Sequence, residues 1–423
     1  MFNPRRIYTV VLWLLLPYIF IHLLWRARKQ PEYLKHIPER FGFYTTRSNK
    51  PIIWLHTVSV GETRAAASLV QCLRDKYPNH QLLFTHTTPT GRAAGVQLYG
   101  TDVLRVYLPY DYPFAVKRFL LHFRPQIGIL LETEIWFNLI HFSKLSNIPL
   151  LLLNARLSEK SAAHYARYPD LIRSGLRQLS AIAAQNENDA ARLIALGADN
   201  VSVMGNLKFD IKPPPEMLAL GAQLRVHFGM DRNIFLAAST RAGEEELLLD
   251  ALSQTDIPNL LTVIVPRHPQ RFNEVAALLT RHHIRYQRRS DNCAISPDTQ
   301  VVLGDSMGEM FAYYTACDLA FIGGSLLPFG GQNLIEACAV GKPVVIGPHT
   351  YNFEQASQLA IASGAATRIQ NAAGLTSCLC KLFANPEQMA KMSRASQHFV
   401  SSHRGATGKA MEHITRFINR DFQ

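Results

Sequence analysis

The side chains of this chain that could do acid–base chemistry are glutamates directly after apolar runs. Glu62 lies in HTVSVGETRAA (56–66), and Glu132 and Glu134 lie in LLETEIW, each just past a predicted buried strand. A carboxylate at such a strand end can act as a general base, which typically contributes about 10²–10⁴-fold in rate. Glu62 also has a plainer explanation, because the first turn of a helix favours an acidic residue. Two acids beside an apolar strand are costly unless solvated or partnered, so Glu132 and Glu134 are predicted to line a cleft.

Basic residues occupy equivalent places after other predicted strands. Lys208 lies in GNLKFD, Arg241 lies in AASTRAGEE, and Arg267 and His268 follow TVIVP. Cations at strand ends can stabilise negative charge on a departing phosphate. Any one of them could equally be a solvated surface residue. Several of them on one edge of a sheet predict a site for a phosphorylated ligand.

Two glycine-containing turns predict a place for a nucleotide. The pairs Gly323-Gly324 and Gly330-Gly331 lie between a predicted strand and a predicted helix over 333–340, and Glu336 falls in the first turn of that helix. Glycine lets a backbone approach a ligand, the first N–H groups of a helix can hold a phosphate, and a carboxylate can accept hydrogen bonds from ribose. GDSMGEM (304–310) is a second turn of this kind. An ordinary structural turn would account for the same glycines, and both explanations stay open.

Apolar runs alternating with amphipathic windows predict an α/β fold in two halves. Repeated strand–helix alternation is typical of a parallel sheet covered by helices on both faces. Two doubly wound halves with a cleft between them form the architecture called GT-B in glycosyltransferases, with ligands at the carboxyl ends of the strands. The predicted strands are 52–58, 82–85, 103–108, 127–131, 150–153, 181–184 and 201–204 in the first half, and 234–238, 261–265, 285–287, 301–303, 319–322 and 344–346 in the second.

The N-terminus predicts a membrane anchor. Residues 7–25 contain no Asp, Glu, Lys or Arg and have basic residues on both sides. As one helix they would be about 28 Å long, close to the thickness of a bilayer core. A signal peptide is the alternative, but no small-residue cleavage site follows. The predicted domains are an anchor at 1–30, a Rossmann-like domain at 31–208, a proline-rich linker at 209–216 and a second Rossmann-like domain at 217–423, whose terminal helices are candidates to pack back on the first domain.

Composition and missing motifs narrow the class of function. The net charge of +12 suits an acidic partner, such as an anionic membrane or a phosphorylated substrate, and no nucleic-acid-binding motif accompanies it. The six cysteines show neither metal-ligand nor disulfide-framework spacing. The sequence contains no Asp-X-Asp, Walker A loop, GxGxxG, HExxH or GxSxG. The class of function that these absences leave is the metal-independent transfer of a group from an activated donor.

Eight motifs in order resemble those of the 3-deoxy-D-manno-octulosonic acid (Kdo) transferases. They are HTVSVGE, LLETEIW, NARLS, GNLKFD, AAST-x-x-GEE, VPRHP-x-RF, GDSMGEM and GGSL…GGQN-x-IE. The resemblance implies an inverting GT-B enzyme that moves Kdo from CMP-Kdo to lipid IVA in lipopolysaccharide core synthesis. It places the catalytic domains at the cytoplasmic face of the inner membrane, in contact with its lipids. It makes 31–208 the acceptor-binding domain and 217–423 the CMP-Kdo-binding domain, and it implies no cofactor, no metal and no nucleic-acid partner.

The same resemblance assigns roles to residues. It makes Glu62 the general base and has Glu132 and Lys208 support the transition state. Departures from the family pattern are Thr57 in place of alanine, Phe137 in place of proline, and Arg241-Ala242 in place of His-Glu. The residues that it implies for CMP binding are Arg267, His268, Met307, Gly308, Glu309, Asn333, Leu334, Ile335 and Glu336. Two alternatives stay open: a GT-B-like nucleotide-sugar epimerase, and a membrane-tethered nucleotide-binding protein without catalysis.

Overall fold

A computed structural model describes residues 4–419. Residues 1–3 of the expected anchor and 420–423 of the expected second domain lie outside the described residues. The strands are β1 (Ile52–His56), β2 (Gln81–His86), β3 (Leu104–Tyr107), β4 (Ile127–Leu131), β5 (Leu150–Ala155), β6 (Ala181–Ala184), β7 (Val201–Val203), β8 (Asn233–Thr240), β9 (Leu260–Pro266), β10 (Tyr286–Arg288), β11 (Val301–Leu303), β12 (Leu319–Ile322), β13 (Val344–Ile346) and β14 (Ala366–Arg368).

The α-helices alternate with these strands along most of the chain, and short 3₁₀ turns complete several connections. The helices are α1 (Pro4–Leu14), α2 (Leu16–Lys29), α3 (Val60–Ala65), α4 (Ala67–Lys76), α5 (Pro89–Tyr99), α6 (Pro113–Phe123), α7 (Phe137–Leu145), α8 (Glu159–Tyr165), α9 (Pro169–Leu176), α10 (Glu187–Ala195), α11 (Pro215–Phe228), α12 (Glu244–Ser253), α13 (Phe272–Arg281), α14 (Met310–Ala316), α15 (Ile335–Ala339), α16 (Glu354–Ala362), α17 (Ala372–Phe383), α18 (Pro386–His403) and α19 (Ala406–Ile418). The predicted α/β class and its parallel sheets are confirmed.

The chain divides into two compact units. The first unit consists of two segments, one up to Asp210 and one from Arg404 onward, and the second unit spans Ile211–His403. The first unit has seven parallel strands in the order β3-β2-β1-β4-β5-β6-β7. Its sheet is covered on both faces, because alternate residues of β1, such as Trp54 and Leu55, pack into separate apolar clusters. All carboxyl ends of this sheet therefore lie on one edge.

The second unit repeats this design with seven parallel strands in the order β10-β11-β9-β8-β12-β13-β14. All thirteen predicted strands are present, with ends that differ by at most two residues. The prediction missed β14, because the short sequence of Ala366–Arg368 contains no apolar run. Pro215, expected in the linker, is instead the first residue of α11, where its missing N–H costs no hydrogen bond.

The last helix, α19, belongs to the first unit. Ala406, Ala410, Ile414 and Ile418 pack into the apolar cluster on one face of its sheet. The carboxylate of Asp210 accepts hydrogen bonds from the N–H groups of residues 405 and 407 at the start of this helix. The first unit is therefore assembled from both ends of the chain.

The N-terminal segment differs from the single helix that the sequence predicts. It forms α1 and α2, which are bent by 51° at Leu15, and no single helix within residues 4–419 has both the length and the apolar composition of a membrane span, although this bent pair does when taken together. Pro17 stands in the first turn of α2. Because proline lacks an N–H group and its ring crowds the preceding turn, the helix breaks there.

One face of this helix pair packs on the first unit, and the other is exposed. The Arg5 guanidinium donates a hydrogen bond to Asn138 Oδ1 at 2.9 Å, and the Tyr8 hydroxyl donates one to Asp111 Oδ2 at 2.9 Å. Burial raises the pKa of the Asp111 carboxyl to about 7. The hydrogen bonds that this carboxyl accepts from the N–H groups of Asn138 and Leu139 in α7 act in the opposite direction. The exposed face is apolar and carries Ile7, Val10, Val11, Leu14, Leu15, Phe20, Ile21, Leu24 and Trp25.

Candidate active site

The first unit brings four of the predicted residues to the carboxyl edge of its sheet. Glu62 follows β1, Glu132 and Glu134 follow β4, and Lys208 follows β7. The Lys208 ammonium lies 3.2 Å from Glu132 Oε1, and both side chains are mostly buried. The carboxylates of Glu132 and Glu134 are near enough to Glu62 that their charge raises its pKa. The site therefore combines three acids with one lysine.

The Glu62 carboxylate is held in place by its own turn. Ser59 is the N-cap of α3, and its hydroxyl donates to Glu62 Oε1 at 2.8 Å. The Val58 N–H donates to Oε2 at 2.7 Å. Burial raises the pKa of Glu62, and the Val58 hydrogen bond only partly offsets that effect. The result is an oriented carboxylate that binds a proton more readily than an exposed glutamate does.

Glu132 is held in a strained conformation. Its φ of 62° lies in the left-handed region, which a non-glycine residue adopts at a cost of about 1–3 kcal/mol. The Glu132 N–H donates to the Leu153 carbonyl on the neighbouring strand at 3.2 Å. That bond ends the pairing of β4 with β5 and turns the side chain of Glu132 toward Lys208.

A set of amides that sequence reasoning assigned no role positions Lys208. Asn154, at the end of β5, accepts the Leu207 N–H at 3.1 Å. Gln185 donates to the Asn154 carbonyl and accepts from Asn206, each at 3.0 Å. Asn206 in turn accepts the Lys208 N–H at 3.0 Å. The motifs NARLS and GNLKFD contain the outer members of this network, and their polar residues beside strand ends were the only sign of it.

Glu134 is connected to a buried histidine beneath the site. The Trp136 indole donates to Glu134 Oε2 at 2.6 Å, and His56 Nε2 lies 3.6 Å from the same oxygen. The other ring nitrogen of His56 is 2.8 Å from the Thr85 hydroxyl. These contacts fix Glu134 at the edge of the sheet, whereas Glu62 has no such aromatic neighbour among its hydrogen-bond partners in the described chain.

In the second unit, three basic residues meet at the carboxyl ends of β8 and β9. Arg241 Nη1 lies 2.7 Å from His268 Nε2, and Arg267 Nε donates to Gln332 at 3.2 Å. Burial, followed by the charges of Arg241 and Arg267, lowers the pKa of His268, so its ring is neutral at pH 7. Arg271 forms a two-bond ion pair with Glu245. Arg241, a departure from the family motif, is therefore part of the cationic cluster.

The GDSMGEM turn is exposed but anchored. Glu309 pairs with Arg289 at 3.3 Å and accepts from the Ser306 hydroxyl at 2.7 Å. Met307 and Gly308 are exposed on the same turn, and Gly308 has a φ of 85°. Arg289 is the last residue of a run at 281–289 that is rich in arginine and histidine and is exposed over 281–283. Arg288, beside it, lies 3.5 Å from Asp305 of the same turn.

The glycine pairs serve the internal packing of the second unit. A Cβ on Gly323 would lie 2.4 Å from the Ser239 carbonyl oxygen, and one on Gly330 would lie 2.4 Å from Asn352. The N–H groups of Gly324 and Leu326 donate to the fully buried Glu244 at 2.6 and 3.0 Å. These two N–H groups are therefore engaged by a carboxylate of the chain itself. Sequence reasoning missed Glu244, for which GEE in the motif was the only signal.

The helix after the glycine loop is shorter than predicted. It spans only Ile335–Ala339, and the Asn333 side chain accepts the Ile335 N–H and donates to Glu336 Oε1, each at 3.1 Å. The side chains of Leu334 and Ile335 are buried in the core of the unit. Any contact of Leu334 or Ile335 with a ligand would fall to their backbone. Glu336 and Asn333 remain partly exposed.

Residues 4–419 contain no group of three or more His, Cys, Asp or Glu side chains placed to hold a metal ion. The charged groups at the carboxyl edge of each sheet, taken separately, are carboxylates and a lysine in the first unit and arginines in the second.

Two seven-stranded, doubly wound parallel sheets, each with charged side chains at its carboxyl edge, define an α/β protein of the GT-B-like class. A solved UDP-GlcNAc 2-epimerase from Neisseria meningitidis bound to UDP-GlcNAc has a similar fold, with a TM-score of 0.59 and 15% identity, and covers 86% of this chain and 100% of its own. At that identity the likeness concerns the fold alone.

Sequence comparison identifies the family. Residues 35–211 match the model of the 3-deoxy-D-manno-octulosonic-acid transferase (kdotransferase) family. The 3-deoxy-D-manno-octulosonic acid transferase of Bordetella pertussis is 39% identical over 98% of this chain and 99% of its own length. That of Haemophilus influenzae is 36% identical over 99% of both chains. The chain belongs to the Kdo transferase family and is a glycosyltransferase.

Proposed function

We propose that the enzyme transfers Kdo from CMP-Kdo to lipid IVA with inversion, using Glu62 as the general base and no metal ion or other cofactor. The observation that carries this proposal is the oriented, partly buried Glu62 carboxylate beside the Glu132–Lys208 pair on one strand edge. A base needs a pKa above that of an exposed carboxylate to accept a hydroxyl proton efficiently, and burial of Glu62 works in that direction.

In the proposed reaction Glu62 takes the proton of an acceptor sugar hydroxyl. That oxygen forms a bond to the anomeric carbon of Kdo, while the bond from this carbon to the phosphate oxygen of CMP breaks. The electron pair of the broken bond leaves with CMP from the opposite face, which inverts the anomeric centre. Lys208 partly balances the negative charge of Glu132 beside the proposed base, and Glu132 in turn orients Lys208.

We assign donor binding to the second unit. Arg241 and Arg267 offer cations for the phosphate of CMP, and neutral His268 offers a ring that does not repel them further. Glu309, Asn333 and Glu336 are the partly exposed polar groups proposed to bind the cytidine and its ribose. Two further pairs of residues would also contact the nucleotide. The exposed turn would do so through Met307 and Gly308, and the segment before α15 through the backbone of Leu334 and Ile335.

The direct test is to incubate the purified chain with CMP-Kdo and lipid IVA and to weigh the lipid by mass spectrometry. A mass increase of one or more Kdo units is the expected result. Binding of CMP with no change in lipid mass would instead support the non-catalytic tethered protein. Conversion of a nucleotide sugar to its epimer, with no transfer, would support the epimerase.

Excess EDTA should leave the transfer rate within about twofold of the untreated enzyme. The reason is that arginine and lysine side chains, rather than a bound cation, are proposed to balance the charge of the leaving phosphate. Initial rates before and after chelation measure this. Loss of activity that added magnesium restores would contradict the proposal, and the recovery itself would exclude damage by the chelator.

We propose that the α1–α2 pair holds the enzyme at the cytoplasmic face of the inner membrane. The sequence predicts a single-pass anchor, but one face of the pair packs on the first unit while the other exposes a band of large apolar side chains. Arg26, Arg28 and Lys29 end α2 and would meet anionic headgroups. This pattern favours helices that lie in the membrane interface over a helix that crosses it.

Replacing exposed Leu14 and Ile21 together by glutamate should weaken binding to anionic vesicles by at least about tenfold, because each loses apolar burial and gains a charge. Vesicle co-sedimentation measures the binding. The matched control replaces Val226 and Met230, equally exposed apolar residues of the second unit. An equal loss in both double variants would show that this helix face is not the membrane contact.

A further inference from the structure

A cavity in the first unit lies beside the proposed base and has no role in the reaction described so far. Its volume is about 260 Å³, and it is bounded by α2 and by the segments after β2, β3 and β4. Most of its wall is apolar or aromatic, including Ile19, Leu23 and Trp136. Two arginines, Arg26 and Arg40, also line it. An apolar wall with two cations is the lining expected for an amphiphilic anion.

Arg40 is a buried cation that lacks an anion. Arg40 is only 4% exposed, yet within residues 4–419 no carboxylate oxygen lies within 4 Å of its guanidinium. The neighbouring Glu39 is instead paired with Arg92 at 2.6 Å. Arg40 donates a hydrogen bond to the Thr87 carbonyl at 3.2 Å and is hydrogen-bonded to the Tyr110 side chain. Its guanidinium packs over the Tyr107 ring at 4.1 Å, and its Nε has no hydrogen-bond partner.

A buried charge without a partner is costly, and proteins retain one where a ligand completes the pair. Arginine is suited to phosphate because its planar guanidinium can donate two parallel hydrogen bonds. Arg26 reaches the same cavity from α2 with an exposed side chain that packs over Tyr33 at 4.9 Å. Thr88, which caps α5, adds a helix N-terminus to the wall.

The walls of the cavity are in contact with the candidate active site. The Thr88 hydroxyl donates to the Val58 carbonyl at 2.9 Å, and the Val58 N–H donates to Glu62. On another side, the Trp136 indole donates to Glu134. A molecule in the cavity would therefore touch Trp136, which holds Glu134 directly, and Thr88, which is bonded to the residue that holds Glu62. One wall of the cavity is formed by α2, the helix proposed to lie in the membrane interface.

We propose that this cavity binds a phosphate group of the lipid acceptor through Arg40 and Arg26, and thereby places an acceptor hydroxyl next to Glu62. The inference rests on the proposed function, since it names a recognition site for that acceptor. It identifies Arg40 and Arg26 as substrate-binding residues, and α2 as a wall of the acceptor site in addition to a membrane contact.

The test measures binding of lipid IVA in detergent micelles to the full-length chain, before and after the lipid is treated with a phosphatase. The parent should bind the phosphorylated lipid about tenfold to hundredfold more tightly than the treated lipid, the range of a charge-assisted hydrogen bond. Arg26→Gln and Arg40→Gln should each reduce this ratio by about tenfold. Arg47→Gln is the matched control, because it removes the same charge from an exposed arginine of the first unit that neither lines the cavity nor belongs to α2.

The ratio, rather than the affinity alone, separates recognition from structure. Arg40→Gln could lower stability because it loses the bond to Thr87, so a melting curve is measured for each variant. If Arg40→Gln does not fold, the result for Arg26→Gln, whose side chain is exposed, tests the proposal. Unchanged ratios in the folded variants, or an equal fall in Arg47→Gln, would overturn the proposal. Inorganic phosphate or phosphatidic acid that binds the parent as tightly as lipid IVA would overturn the assignment to the acceptor.

The same experiment separates this inference from the proposed function. A parent that shows the phosphate preference, lost in the Arg26 and Arg40 variants, but transfers no Kdo would support the cavity and refute the catalytic role. A parent that transfers Kdo without any phosphate preference would do the opposite.

Discussion

Glu62→Gln should lower kcat for Kdo transfer by about 10²–10⁴-fold, the usual contribution of a general base. The amide has nearly the same volume as the carboxylate but cannot accept the hydroxyl proton. CMP-Kdo binding should be unchanged, because donor binding is assigned to the second unit. Steady-state kinetics, calorimetry with CMP and a melting curve test the three statements.

Glu187→Gln is the matched control for this prediction. Glu187 is also a glutamate in the first turn of a helix that follows a strand of the first unit, but it is exposed and lies after β6. If Glu62 served only the helix macrodipole, the two substitutions would have similar small effects of about 0.3–1 kcal/mol on stability and none on turnover. Activity of Glu62→Gln within a few-fold of the parent would remove Glu62 from its assigned role.

The pH dependence of the parent provides an independent check. Burial raises the pKa of Glu62, and only the ionised form can take a proton. The value of kcat/KM should therefore fall as the pH is lowered through a pKa that lies above the ordinary glutamate range. Glu132→Gln should move this acidic limb to lower pH, since the charge of Glu132 contributes to raising the Glu62 pKa.

Lys208→Met should lower kcat by about 10²–10³-fold, the effect of removing one electrostatic group from a preorganised site. It leaves Glu132 without the ammonium that lies 3.2 Å away. The uncompensated charge of Glu132 should raise the Glu62 pKa further and shift the acidic limb of the profile to higher pH. Rate measurements across pH values for parent and variant detect both effects.

Two further variants make this second prediction specific. Lys212→Met removes an exposed lysine four positions later and should change neither turnover nor the pH limb. Because Lys208 and Glu132 are in contact, the losses in the Lys208→Met, Glu132→Gln double variant should be less than additive. Additive losses together with an unshifted limb would show that the pair does not act on Glu62.

Most of the fold could be predicted from local sequence. Buried parallel strands are continuous apolar runs in the sequence, and such runs correctly predicted thirteen of the fourteen strands. Because all strands of a doubly wound sheet end at one edge, the polar residues after these runs could be assigned to that edge. Glu62, Glu132, Lys208, Arg267 and their neighbours were identified in this way, and the motifs indicated the family.

The N-terminal helix shows where local reasoning stopped. Hydropathy predicts a membrane helix over 7–25, but hydropathy does not register which face of a helix is occupied by protein. The contacts of Arg5 and Tyr8 with residues more than 100 positions away decide that one face packs on the first unit. The placement of α19 on that unit depends in the same way on contacts made by Asp210.

The sequence by itself therefore determined the element types, the strand edge that carries the charged groups, and the family. Only the tertiary structure decided which charges have partners. Glu132 meets Lys208, Glu244 holds Gly324 at a separation of 80 residues, and Arg40 is left without a carboxylate. The physical reason is that residue type and spacing govern local conformation, whereas pairing and desolvation depend on which distant segments the sheet order brings together.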